Sequence, residues 1–141
     1  MGDTITVSDI MTRDVIVLRE EDNLLGLASG LERYRFRHLP VTDGKKLVGM
    51  LSQRDVLRAT AAGLDRSAVA RTRDQRLLEQ TFVRDVMQTD VLTATESELV
   101  RDAARRMLSA RVGALPVVNG AGELVGIVSE SDVLRLAAEK L

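Results

Sequence analysis

Apolar residues follow two spacings along this chain, and the alternation between them predicts its elements. Val15 to Leu18 is a β-branched run that favours extended backbone. From Leu24 the apolar positions fall at i, i+3, i+4 and i+7, through Leu27, Ala28 and Leu31, which is one face of an amphipathic helix. Two short apolar runs follow, Leu39 to Thr42 and Leu47 to Leu51, joined across Asp43-Gly44, where glycine supplies the positive φ of a tight hairpin. A last helix opens at Ser52, and a short helical turn around Ile10-Met11 precedes the whole. The unit reads β-α-β-β-α.

The unit occurs twice. Val7-Ser8-Asp9-Ile10-Met11-Thr12-Arg13-Asp14-Val15 returns as Val83-Arg84-Asp85-Val86-Met87-Gln88-Thr89-Asp90-Val91, an offset of 76 residues. The same offset places Leu24, Leu27, Ala28 and Leu31 on Val100, Ala103, Ala104 and Met107, and Leu39-Pro40-Val41 on Leu115-Pro116-Val117. Past the hairpin turn the offset is 77, so Gly49, Ser52 and Asp55 fall on Gly126, Ser129 and Asp132. One inserted residue at a turn is where a true repeat tolerates one. In the second copy Thr95-x-x-Glu98 predicts a capping box for the amphipathic helix, Asn119-Gly120 the tight turn, and Ser129 the start of the last helix. The expected division is a first repeat over 1–58, an Arg-rich helical linker over 59–81 and a second repeat over 82–141. A unit of about 60 residues buries only about 60% of its chain surface and is marginal alone. The expected fold class is therefore α+β, with tandem repeats packed sheet to sheet about a pseudo-two-fold axis.

Composition narrows the chemistry. The 141 residues carry a net charge of −1 and no cysteine, which removes disulfides, thiolate metal sites and a cysteine nucleophile. The single histidine, His38, removes any site needing several imidazoles. Tyr34, Phe36 and Phe82 are the only aromatics, too few for a base-stacking platform. No apolar run reaches the roughly 18 residues of a membrane span, and Asp3 and Asp9 with no basic flank do not read as a signal peptide. The expected location is the cytoplasm, with no membrane partner.

The informative element is Gly49-Met50-Leu51-Ser52-Gln53-Arg54-Asp55 with its twin Gly126-Ile127-Val128-Ser129-Glu130-Ser131-Asp132. Glycine at a strand end admits close approach of a ligand or another backbone. A serine at the following helix start lies beside unpaired N–H groups, a phosphate site in form, and a carboxylate three residues on could take the two hydroxyls of a ribose. The same Ser-x-x-Asp is also a helix cap that binds nothing. A duplicated helix needs a duplicated cap, so the pattern leaves both readings open. His38, beside an apolar strand, is likewise either a satisfied structural group or a cleft residue.

Taken together, Asp9-Ile10-Met11-Thr12, Arg37-His38-Leu39-Pro40-Val41 and the twice-used Gly-x-x-Ser-x-x-Asp resemble a tandem of CBS domains, the Bateman module named after cystathionine β-synthase. The resemblance covers nearly the whole chain apart from the linker. It implies a non-catalytic sensor binding adenosine-containing ligands (AMP, ADP, ATP or S-adenosylmethionine) in two clefts, with Mg²⁺ as a candidate companion and no covalent cofactor. It also implies a disc-like homodimer that signals to an effector protein. Carried over by motif, Asp55 and Asp132 would hold ribose, Ser52 and Ser129 phosphate, and Val17 and Thr93 would line the base pockets. Arg37 and His38 would reach the phosphate in the Asp132 cleft, where the second copy has only Gly113 and Ala114. The clefts are therefore expected to be unequal.

Three rival classes remain. A ligand-free dimerisation or docking module accounts for the same residues. Nucleic-acid binding rests on Arg33-Tyr34-Arg35-Phe36-Arg37, against a neutral total and an excess of 17 arginines over 3 lysines that makes such clusters ordinary. Linker arginines Arg66, Arg71, Arg73 and Arg76 read as a solvated helix face or a phosphate contact for the Asp55 cleft. An enzyme would need a nucleophile with a base, or a metal cluster, and neither assembles from one histidine and scattered carboxylates.

Overall fold

The computed structural model describes residues 4–25, 38–60, 76 and 79–141. Its elements run α1 (Val7–Ile10), β1 (His38–Asp43), β2 (Lys46–Ser52), α2 (Gln53–Thr60), α3 (Val83–Val86), α4 (Val100–Ala110), β3 (Ala114–Val118), β4 (Leu124–Ser129) and α5 (Glu130–Lys140). Mixed helices with two small sheets, β1-β2 and β3-β4, make the chain α+β. Of the amphipathic helix expected from Leu24, only Leu24 and Leu25 are described, both helical. Arg37, the rest of the arginine ladder and most of the linker, Arg66, Arg71 and Arg73 included, lie outside the described residues.

Two compact units form, and each borrows from the other repeat. One gathers Met1–Val15, Gly44–Leu47 and Leu92–Leu141, the other Ile16–Asp43 and Val48–Val91. In the first, Val7 and Met11 from the start of the chain share a core with Ala94, Ala103, Met107, Leu115, Val117 and Val128. In the second, Val83 packs with Leu18, Leu24, Leu39, Val41, Leu51 and Val56. Each repeat's opening helix thus completes the other repeat's core.

The alternation of the ladder explains how that helix docks. β3 and β4 pair antiparallel with Pro116 opposite Ile127, a position where proline's absent N–H costs the ladder nothing if the partner's groups turn to the other edge. Ile127 does so: its N–H donates to Thr12 O at 2.9 Å, and its carbonyl accepts from Thr12 N at 2.8 Å. Met50 and Gln88 exchange the same two bonds, both at 2.9 Å, in the other unit. The glycine beside each bridge has no room for a side chain. A Cβ on Gly126 would sit 2.8 Å from Met11 Sδ and 2.9 Å from Thr12 O, and one on Gly49 2.6 Å from Met87 Sδ and 3.0 Å from Gln88 O. The close approach inferred at these glycines is therefore made by a methionine side chain together with the backbone carbonyl of the next residue.

Several local expectations shift. The strand expected over Val15 to Leu18 shrinks to one parallel bridge, Leu18 with Val41, matched by Ala94 with Val117. The two residues before that bridge, Ile16 and Val17, are exposed. The capping box at Thr95 and Glu98 does not form: that segment is a turn, α4 starts later with Leu99 as its N-cap, and the first helical N–H, of Val100, donates to Ile5 O at 2.9 Å. Gly44 carries the expected positive φ of 61°. In the second hairpin that role falls to Gly122, at 79°, rather than Gly120. The Asn119 side chain organises this longer turn, its Oδ1 accepting from Ala121 N and Glu123 N at 3.0 Å each.

Candidate functional site

Ser129 and Asp132 sit where β4 passes into α5, and Ser52 and Asp55 where β2 passes into α2. Ser129 is the N-cap, with extended backbone. Asp132 Oδ2 accepts from Ser129 N at 2.8 Å and from Ser129 Oγ at 3.1 Å, while Asp132 N donates back to Ser129 Oγ at 3.3 Å. The first copy repeats the arrangement at 2.8, 2.9 and 3.1 Å. Both pairs are reciprocal caps, so the local reading of Ser-x-x-Asp describes their geometry. Both carboxylates are nonetheless buried, Asp55 at 8% exposure and Asp132 at 6%.

Capping consumes only one oxygen of each carboxylate. Asp55 Oδ1 accepts from Gln88 Nε2 at 3.2 Å, and Asp132 Oδ1 lies 3.4 Å from Nη1 of Arg135, whose side chain is 68% exposed. The helix-start N–H groups are less available than the sequence implied. Ser129 N is held by Asp132, Asp132 N by Ser129 Oγ, and Glu130 N by Gly113 O at 3.0 Å. A phosphate at α5 would therefore draw on side chains and not on these amides.

The proposed base-pocket residues flank the parallel bridges. Val17 is exposed and Thr93 half-buried, each one residue before the bridging Leu18 and Ala94. Arg106 fixes the second position: its Nη2 donates to Thr93 O at 2.7 Å while Nη1 reaches both Glu98 oxygens at 2.7 and 2.8 Å. This also says why Glu98 caps no helix. His38 is half-buried at the first residue of β1. Sequence reasoning missed Gln88 and Arg106 as members of the two sites. The signal for Gln88 was present in the alignment of the copies, which sets it opposite Thr12.

A separate cavity of about 460 Å³ lies between α4 and α5, lined by Met107, Leu108, Val112, Val133 and Leu134 among others. None of the residues named above as ligand contacts lines it. No cluster able to hold a metal ion occurs among the described residues, and none of their helices is long and apolar enough to cross a membrane.

The family model for the CBS domain matches residues 7–62 and 83–139. The uncharacterized protein MJ1225 of Methanocaldococcus jannaschii is 32% identical over 132 residues, 94% of this chain and 47% of that protein. The CBS-domain pair of protein MJ0100, solved with 5′-methylthioadenosine and S-adenosyl-L-methionine, superposes with a TM-score of 0.79 at 27% identity, over 98% of this chain and 99% of that one. CBSX2 of Arabidopsis thaliana, solved with AMP, superposes with a TM-score of 0.78 at 30% identity, over 96% of this chain and 97% of its own. The chain spans about half or less of the curated relatives it matches, some of which are named as enzymes.

Proposed function

The chain belongs to the CBS-domain family, and on that premise we propose that it is a non-catalytic, cytoplasmic sensor of adenosine-containing ligands, binding AMP, ADP, ATP or S-adenosylmethionine and signalling to an effector protein. The observation that carries this reading is the near full-length likeness to two CBS pairs solved with adenosine compounds. The chemistry agrees. Asp132 and Asp55 are buried acceptors whose second oxygen is not spent on the cap, and Thr93 and Val17 stand at the open edge of each parallel bridge. Ser52 and Ser129 contribute hydroxyls. The active form is a homodimer. Leu108 and Leu134, 80% and 68% exposed beside the α4–α5 cavity, form a face on which a second copy can place the same two leucines.

Thermal unfolding against AMP, ADP, ATP, S-adenosylmethionine and GTP, with and without Mg²⁺, tests the reading. A ligand at 100 times its dissociation constant adds about 2.7 kcal/mol, and each kcal/mol moves the midpoint by roughly 2–4 °C. A shift with adenosine ligands, absent with GTP and reduced in Asp132→Asn, is expected. Complete internal capping of both Ser-x-x-Asp pairs favours a second reading, a ligand-free interaction module. No shift with any nucleotide would select it.

A further inference from the structure

The two carboxylates are built alike except at one oxygen. A carboxylate offers about four lone-pair positions. In both copies Oδ2 is filled twice, by the N–H and the hydroxyl of its cap serine. A ribose with two neighbouring hydroxyls is left with the two positions on Oδ1. At Asp55 one of these is taken by the Gln88 carboxamide, at 3.2 Å. At Asp132 the corresponding residue is Thr12, which pairs with Ile127 through the same two backbone bonds that tie Gln88 to Met50. Among the described residues, Asp132 Oδ1 meets only Arg135 Nη1, at 3.4 Å. That contact is too long for a strong charge-assisted bond.

We propose that Gln88 is an internal competitor at the Asp55 site: its amide occupies the acceptor that a ligand hydroxyl needs and makes this the weaker of the two adenosine sites. The inference rests on the adenosine reading above and names the residue that sets the order of the two sites. The backbone pairing with Met50 anchors Gln88 within reach of Asp55, while the residue itself is exposed, so the amide can swing into water when ligand arrives. Ligand must exchange one hydrogen bond to a carboxylate for another, and water receives the displaced amide. The net penalty is therefore modest, about three- to tenfold in affinity.

Calorimetric titration of the full chain with AMP, and separately with S-adenosylmethionine, decides the matter in an Asp132→Asn background. Asparagine keeps an oxygen for Ser129 N–H, so the helix cap survives while the Asp132 site is disabled; circular dichroism confirms the fold. Adding Gln88→Thr, the residue of the other copy, should tighten the remaining site three- to tenfold, and adding Asp55→Asn should abolish that gain. A purely structural Gln88 would give unchanged or weaker binding on Gln88→Thr, and either result overturns the proposal alone. So does binding that vanishes in Asp132→Asn and is not restored by Gln88→Thr. Absence of binding in every variant, wild type included, overturns the adenosine reading and this inference with it.

Discussion

A single guanidinium, that of Arg106, carries both ends of the segment that leads into α4. It holds Thr93 by its carbonyl and Glu98 by its carboxylate, with three bonds of 2.7 to 2.8 Å. Hydrogen bonds to charged groups contribute about 1.5–3 kcal/mol each when desolvated, and partial exposure of Arg106 reduces that. Arg106→Met should lower stability by about 1–3 kcal/mol in urea unfolding. It should also weaken AMP binding at the Thr93 side beyond what the stability loss explains. Arg106→Lys recovers little of either, because an ammonium cannot span both acceptors with a planar fork. The aspartate of the opening Asp-Ile-Met-Thr is explained at the same scale. Asp9 Oδ2 accepts from Thr6 N and Oγ1, and Asp85 Oδ2 from Phe82 N, so both close a one-turn helix.

Among the described elements, α4 and α5 each leave a large leucine exposed. α4 buries Val100, Ala103 and Met107 along one stripe, as the i, i+3, i+7 spacing required, yet Leu108 follows immediately and points out of it. Leu134 does the same on α5. An exposed leucine alone means little, but two lining one cavity form the patch on which the proposed dimer rests. Wild-type protein should sediment as a dimer at micromolar concentration, and Leu108→Asp with Leu134→Asp should sediment as a monomer with an unchanged circular-dichroism spectrum. A monomeric wild type would remove the second copy from that face. The cap of α4 illustrates a different point: Thr95 and Glu98 had the right residues at the right spacing, but Arg106 competed successfully for the carboxylate.

For the whole molecule, the consequential feature is the trade of opening helices between repeats. Met11, 8% exposed, belongs by sequence to the first copy and by packing to the core around β3 and β4. Met11→Ala should cost about 2–5 kcal/mol, the usual range for such a truncation in a core. Hydrogen exchange locates the damage: amides of Leu115 to Val128 should lose protection first, ahead of those in β1 and β2. Faster exchange confined to β1 and β2 would mean that the first copy keeps its own helix. Because each sheet needs a segment from the far repeat, neither repeat by itself contains a complete core.

What the sequence determined was whatever depends on neighbours within about ten residues. Apolar spacing located β1, β2 and the buried stripe of α4. Gly44 marked its turn, and Ser-x-x-Asp marked two helix starts in a chain whose repeat was plain from its own alignment. Tertiary structure decided the rest, because the partners are far apart in the chain and compete. Gln88 finds Asp55 across 33 residues, and Thr12 finds Ile127 from the other end of the sequence. Gly49 and Gly126 were legible as close approaches, but what approaches each is a methionine side chain and a backbone carbonyl from the other repeat, brought there by backbone pairing at the outer edge of the strand.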